Sequence, residues 1–149
     1  MELEKEIKQK KFNNEYQKAL LNIIYTNSWI STIQSCFFKP YKISPQQYNV
    51  LRILKGQYPA PASINLIIDR MLDKMSNASR LVEKLRQKGL VERQECMHDR
   101  RQVEVTITPQ GMELLGEIAA KNHEIESRFE SLSEEEVTQL NYLLDKLRG

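Results

Sequence analysis

The chain has 149 residues, 40% of them apolar, with 22 Lys and Arg against 20 Asp and Glu and a formal net charge of +2. That length fits one domain, or one domain with an extra lobe. No apolar run approaches the ~18 residues of a membrane span, the charged start Met1-Glu2-Leu3-Glu4-Lys5-Glu6 lacks the apolar core of a signal peptide, and two cysteines are too few for a disulfide framework or a structural zinc site. A cytoplasmic protein with no cofactor and no membrane contact is expected.

Residues 1–39 contain neither Gly nor Pro. Phe12, Tyr16, Leu20, Ile23, Ile24, Ile30, Ile33 and Phe37 recur on one helical face, which predicts a helix of about 25 residues ended by Pro40. That is long against the ~11 residues typical of globular domains. Such a stripe packs on another long helix or another chain.

Ser44-Pro45-Gln46-Gln47 is a capping box with proline at the first helical position. Tyr48, Val50, Leu51, Ile53 and Leu54 form the inward face, and Gly56 and Pro59-Ala60-Pro61 are expected to break this helix. Ser63 is placed to cap a short helix that buries Ile64, Ile67, Ile68, Met71 and Leu72. After the turn Asp73-Lys74, Ser76 is placed to cap a second helix that buries Ala78, Leu81, Val82 and Leu85 and closes at Gly89. Two short helices joined by a tight turn read as a helix-turn-helix.

The period then changes. Leu90–Glu95 reads as one strand, and the alternation of Val103, Val105 and Ile107 with Glu104, Thr106 and Thr108 as another. Cys96–Arg101 is the polar tip of this two-stranded wing. Thr108-Pro109 opens a long helix carrying Leu115, Ile118, Ala119, Asn122, Ile125 and Phe129. Ser133–Glu136 is another capping box, followed by the stripe Val137, Leu140, Leu143, Leu144 and Leu147. The expected fold is all-α with a small β-wing. It is one domain: a winged helix-turn-helix lobe over 44–111, and a dimer lobe of long N- and C-terminal helices over 1–40 and 112–149.

Charge is polarised along the chain. Residues 74–101 carry a net +4 and residues 113–136 a net −6. A basic reading lobe can hold phosphates although the whole chain is near neutral. The second helix of a helix-turn-helix enters the major groove with its N-terminal residues at the base edges. Here those are Ser76, Asn77, Ser79 and Arg80, with Glu83 and Lys84 one turn later. Arg pairs with guanine, Asn with adenine, and hydroxyls reach bases or phosphates. The plainer reading of the same residues is a solvated face opposite an apolar stripe.

The run from Val82 to Arg93, then Asp99-Arg100-Arg101, then Val105-Thr106-Ile107-Thr108-Pro109-Gln110-Gly111 resemble the MarR family of transcriptional regulators. The resemblance extends over the whole chain, since the long first and paired last helices fit it too. It implies a homodimer whose two winged lobes grip double-stranded DNA, most often as a repressor. In the family's wing pattern an Arg enters the minor groove and an Asp steadies it, which maps to Arg101 and Asp99. A narrow minor groove attracts Arg, and a carboxylate can fix its fork. Arg100 is expected at a phosphate or in solvent.

The resemblance also implies control by small aromatic acids or oxidants. Trp29, Phe37, Phe38, Tyr41, Tyr48 and Arg52 would line the family's ligand pocket, with apolar walls and a polar anchor suited to an aromatic carboxylate. Hinge and core positions are the plainer assignment for them. The oxidant-sensing branch carries its cysteine near the start of the first helix. Cys36 lies near the end, so that match fails, and Cys36 is expected to be a buried, inert thiol. Cys96, on the wing beside His98 and Arg100, is a thiol whose oxidation would disturb DNA contact, but an exposed cysteine with no such role is the plainer reading. His123 is expected in the dimer lobe or at the surface.

Two other classes compete. A winged helix can serve as a protein-interaction module without DNA, because folds do not fix function. An enzyme needs a nucleophile–base pair or metal ligands in one place. Two distant histidines, two distant cysteines and no Gly-rich phosphate loop argue against one.

Overall fold

The computed structural model describes all residues 1–149. They form two compact units, Met1–Pro40 and Tyr41–Gly149. Residues 112–149 thus cluster with the winged core.

The first unit holds α1 (Leu3–Glu6) and α2 (Glu15–Phe38). Asn14 caps α2 by accepting from the Gln17 amide at 2.9 Å. With no Gly or Pro inside, α2 runs 24 residues, or about 36 Å. The short α1 was not legible in the sequence. It is tied to α2 by Lys18–Glu4 at 2.5 Å and by the Tyr25 hydroxyl donating to Glu6 at 2.7 Å. Tyr16, Leu20, Ile23, Ile24 and Trp29 of α2 are exposed in the single chain. Cys36, expected to be buried, is exposed as well.

The second unit opens with α3 (Pro45–Gln57), whose capping box pairs Ser44 and Gln47 reciprocally. Val50, Leu51 and Leu54 are almost wholly buried, and α3 packs against the helices and the ribbon that follow it. Tyr48 is only half-buried. Gly56 does not end α3, which continues to Gln57. A Cβ at Gly56 would meet nothing, so the residue costs helix propensity alone.

Next comes β1 (Ala62–Ser63), then α4 (Ile64–Arg70), capped by Ser63 as expected. Since α4 stops at Arg70, the face expected through Leu72 is cut short. Ile67 and Met71 are buried, whereas Ile68 and Leu72 are exposed. The second helix of the pair, α5 (Ala78–Gln87), is capped by Asn77, one residue later than expected, with Asn77 Oδ1 accepting from the Arg80 amide at 3.1 Å. Gly89 closes it at φ +72°. The Gly89 amide donates to Arg86 and the Leu90 amide to Leu85, the two bonds of a Schellman ending.

The wing has three strands, not two, in the order β1-β3-β2. β2 (Val91–Glu95) and β3 (Val103–Ile107) pair antiparallel with Arg93 opposite Val105. The two-residue β1 pairs with the other edge of β3, Ala62 opposite Val105. No alternation is readable in two residues, and the preceding prolines mask the pairing.

α6 (Pro109–Ala119) starts at the Thr108 cap. The long helix expected to reach Phe129 breaks after Ala119. Lys121 and Asn122 make tight i→i−3 bonds, and α7 (His123–Glu126) restarts the chain. No residue after Ile118 is buried, and helices draw most of their stability from packing. α8 (Glu134–Arg148) follows its Ser133–Glu136 capping box, with its apolar stripe uncovered.

Candidate nucleic-acid interface

α5 presents its polar residues on two sides. Ser79 faces the wing. There it lines a cleft of about 400 Å³ with Asn65 of α4, Val82, Arg93 of β2, and Arg101 and Gln102 of the wing tip. Asn77, Arg80 and Lys84, spaced three and four residues apart, share the other side. They line a second cleft of about 370 Å³ with Gln46, Asp73 and Ser76. Asn77, Ser79, Arg80 and Lys84 are all exposed.

Two expectations change here. The Ser76 hydroxyl does not cap α5; it is shielded from solvent and has no hydrogen-bond partner. In this conformation it is withheld from a base edge. Asn77 spends its carboxamide oxygen on the cap, which leaves its NH2 group to donate outward.

The wing tip is a short hairpin. The Cys96 amide donates to the Gln102 carbonyl and the Gln102 amide to the Asp99 carbonyl, each at 2.9 Å. Asp99 Oδ1 accepts from the Arg101 backbone amide at 2.9 Å. Asp99 therefore steadies Arg101 through the main chain, by an Asx turn, and not by gripping its guanidinium as expected. Arg100 and Arg101 are exposed and Cys96 is half-buried.

Glu83, grouped by sequence with the base-facing residues, is engaged inside the protein. Arg86 donates to it twice, at 3.0 and 2.8 Å. This bonded guanidinium holds the Glu83 carboxyl below the usual carboxylate range. Arg93 lies 3.7 Å from the same carboxylate.

In the sequence Arg93 counts among the basic residues, but nothing there assigns it to the interface. Its signal was in the strand alternation, because Arg93 shares a face with Val91. Asn65 was missed altogether, and nothing in its neighbours distinguishes it. In all, the structure brings Ser79, Arg93 and Arg101 to one cleft whose cations can meet a phosphate backbone.

The aromatic positions fall in both units. Trp29 is exposed and Phe37 half-buried on α2, while Phe38 is buried at its end. Tyr41 and Tyr48 are half-buried and Arg52 is exposed in the second unit. His123 is exposed at the start of α7. No three His, Cys, Asp or Glu side chains cluster as metal ligands. No helix is long and apolar enough to cross a membrane.

The sequence profile of the MarR family matches residues 41–102, the span from the start of the second unit to the wing tip. The HTH-type transcriptional regulator PecS of Dickeya dadantii is 29% identical over 112 residues, covering 74% of this chain and 68% of PecS. A MarR transcription factor from Planctomyces limnophilus superposes with a TM-score of 0.70 at 29% identity, covering 91% of this chain and 98% of that one. A cysteine-to-serine mutant of MarR from E. coli, complexed with operator DNA, superposes with a TM-score of 0.80 at 22% identity, covering 93% and 99%.

Proposed function

We propose that this chain, whose residues 41–102 match the MarR family profile, is a MarR-type, sequence-specific DNA-binding transcriptional regulator, a cytoplasmic homodimer that represses by occluding promoters. The observation that carries this reading is the cleft shared by Ser79 of the recognition helix, Arg93 of the ribbon and Arg101 of the wing tip. In this reading the start of α5 lies in a major groove, where Asn77 and Arg80 face base edges. Arg101 enters the neighbouring minor groove, and Lys84 and Arg100 meet phosphates. A two-fold dimer then requires a near-palindromic site with half-sites about one helical turn apart.

Arg101→Ala is the direct test. Affinity for a duplex selected from a random pool is expected to fall about tenfold, the scale of one good groove contact. Unchanged affinity overturns the placement of the wing. Control by a small aromatic acid belongs to the same proposal. A panel of such acids, added to the preformed complex, should include one that releases the duplex. Retention of the duplex against the whole panel overturns that part.

A further inference from the structure

Glu83 is an acid placed in the middle of a basic surface, which works against phosphate binding. Its contacts give it a different use. Arg86 holds the carboxylate at both oxygens, through Nε at 3.0 Å and Nη2 at 2.8 Å, and Gln87 adds a donor at 3.4 Å. Oε2, so fixed, lies 3.7 Å from Nη1 of Arg93. That is an ion pair and not a hydrogen bond. It joins the recognition helix to the wing.

Arg93 stands directly opposite Val105, a fully buried residue, and opposed residues share a face of the ribbon. Arg93 therefore projects toward α5, where it lines the cleft beside Ser79 and Arg101. A half-exposed arginine on its own is a long side chain with many rotamers. Charge attraction to Glu83 Oε2 at 3.7 Å narrows that range, and its planar fork loses less for each hydrogen bond formed to a ligand.

The geometry points to Glu83 as a positioning residue for DNA reading. It biases Arg93 toward the cleft, so that DNA meets the Arg93 guanidinium beside Arg101. This rests on the DNA-binding reading above. It differs sharply from the simpler view of Glu83 as a repulsive charge. Under repulsion, Glu83→Gln raises affinity for every duplex alike. Under positioning, it lowers the preference for the selected duplex over a scrambled one, while affinity for the scrambled duplex holds or rises.

The experiment is fluorescence anisotropy on the full chain with both duplexes, for wild type, Glu83→Gln, Arg93→Ala and the double variant. Glu83→Gln is expected to cut the selected-to-scrambled preference about two- to fivefold, and to cut nothing further in the Arg93→Ala background. Arg93→Lys keeps the charge but not the fork. It is expected to lose the same preference, which gives a second readout should Glu83→Gln melt early. An equal rise on both duplexes, no change, or the same loss without Arg93 overturns the proposal. If wild type itself shows no preference, the DNA-binding reading fails and the clamp falls with it. That outcome is read before any substitution, so the two failures are distinct.

Discussion

The Leu143→Gln/Leu147→Gln variant is expected to run as a monomer and to bind the selected duplex about a hundredfold weaker or worse. Both leucines lie on α8, at 50% and 69% exposure in the single chain, and no residue of α8 is buried. α2 has the same character, with Leu20 and Ile24 each 57% exposed. Contiguous exposed apolar surface of this kind marks an interface. The simplest cover is a second copy, through a two-fold contact. Joining two half-site readers raises affinity by about 10²–10⁴ without new contacts, and that gain is what a monomer loses. Glutamine suits the test because it keeps helix propensity and charge. An exposed position costs the lone subunit within about 0.5 kcal/mol. Sedimentation and anisotropy together decide. A variant that stays dimeric, or a monomer that binds as well as wild type, contradicts the dimer reading.

Gly111→Ala is expected to destabilise the subunit by about 1–3 kcal/mol, the cost of overpacking a tight contact. Gly111 sits in the first turn of α6, its amide donating to the Thr108 hydroxyl at 3.1 Å. A Cβ there would lie 2.4 Å from the Leu90 carbonyl oxygen and 2.7 Å from Ile107 Cγ1. The Leu90 carbonyl accepts from the Thr108 amide, so it is fixed main chain that cannot swing aside. α6 must lift from the ribbon instead. Gly116→Ala is the matched control. Nothing lies within 4 Å of its Cβ position, and alanine there should stabilise α6 by up to about 1 kcal/mol. Thermal melts at one protein concentration separate them, at about 2–4 °C per kcal/mol for this length. Gly111→Ala melting at or above wild type would contradict the packing described.

Much of this fold was legible because its signals are local. Ser44, Ser63, Thr108 and Ser133 each cap the helix expected of them, and Gly89 closes α5 in the left-handed region. α2 followed from the absence of Gly and Pro. What the sequence hid depends on tertiary context. β1 exists only because β3 offers it an edge. The long helix after Thr108 fails where burial ends, although its spacing looks continuous past Ala119. Ser76 and Asn77 are both good caps, and the fold uses the second. At the interface, the residue types of α5 and the wing tip could be read from the sequence. The link between Glu83 and Arg93 could not, because it joins a helix to a strand.

If this chain reads a DNA sequence, salt dependence on a selected site shows it most directly. Duplexes are selected from a random pool, and affinity is then measured across salt concentrations. The expected result is one near-palindromic motif with half-sites about a helical turn apart. With it comes a log–log slope of about −0.9 per phosphate neutralised, steep for a protein that uses several cations at once. No enriched motif, with weak binding that is indifferent to salt, would contradict DNA reading. The winged unit would then be a surface for protein partners.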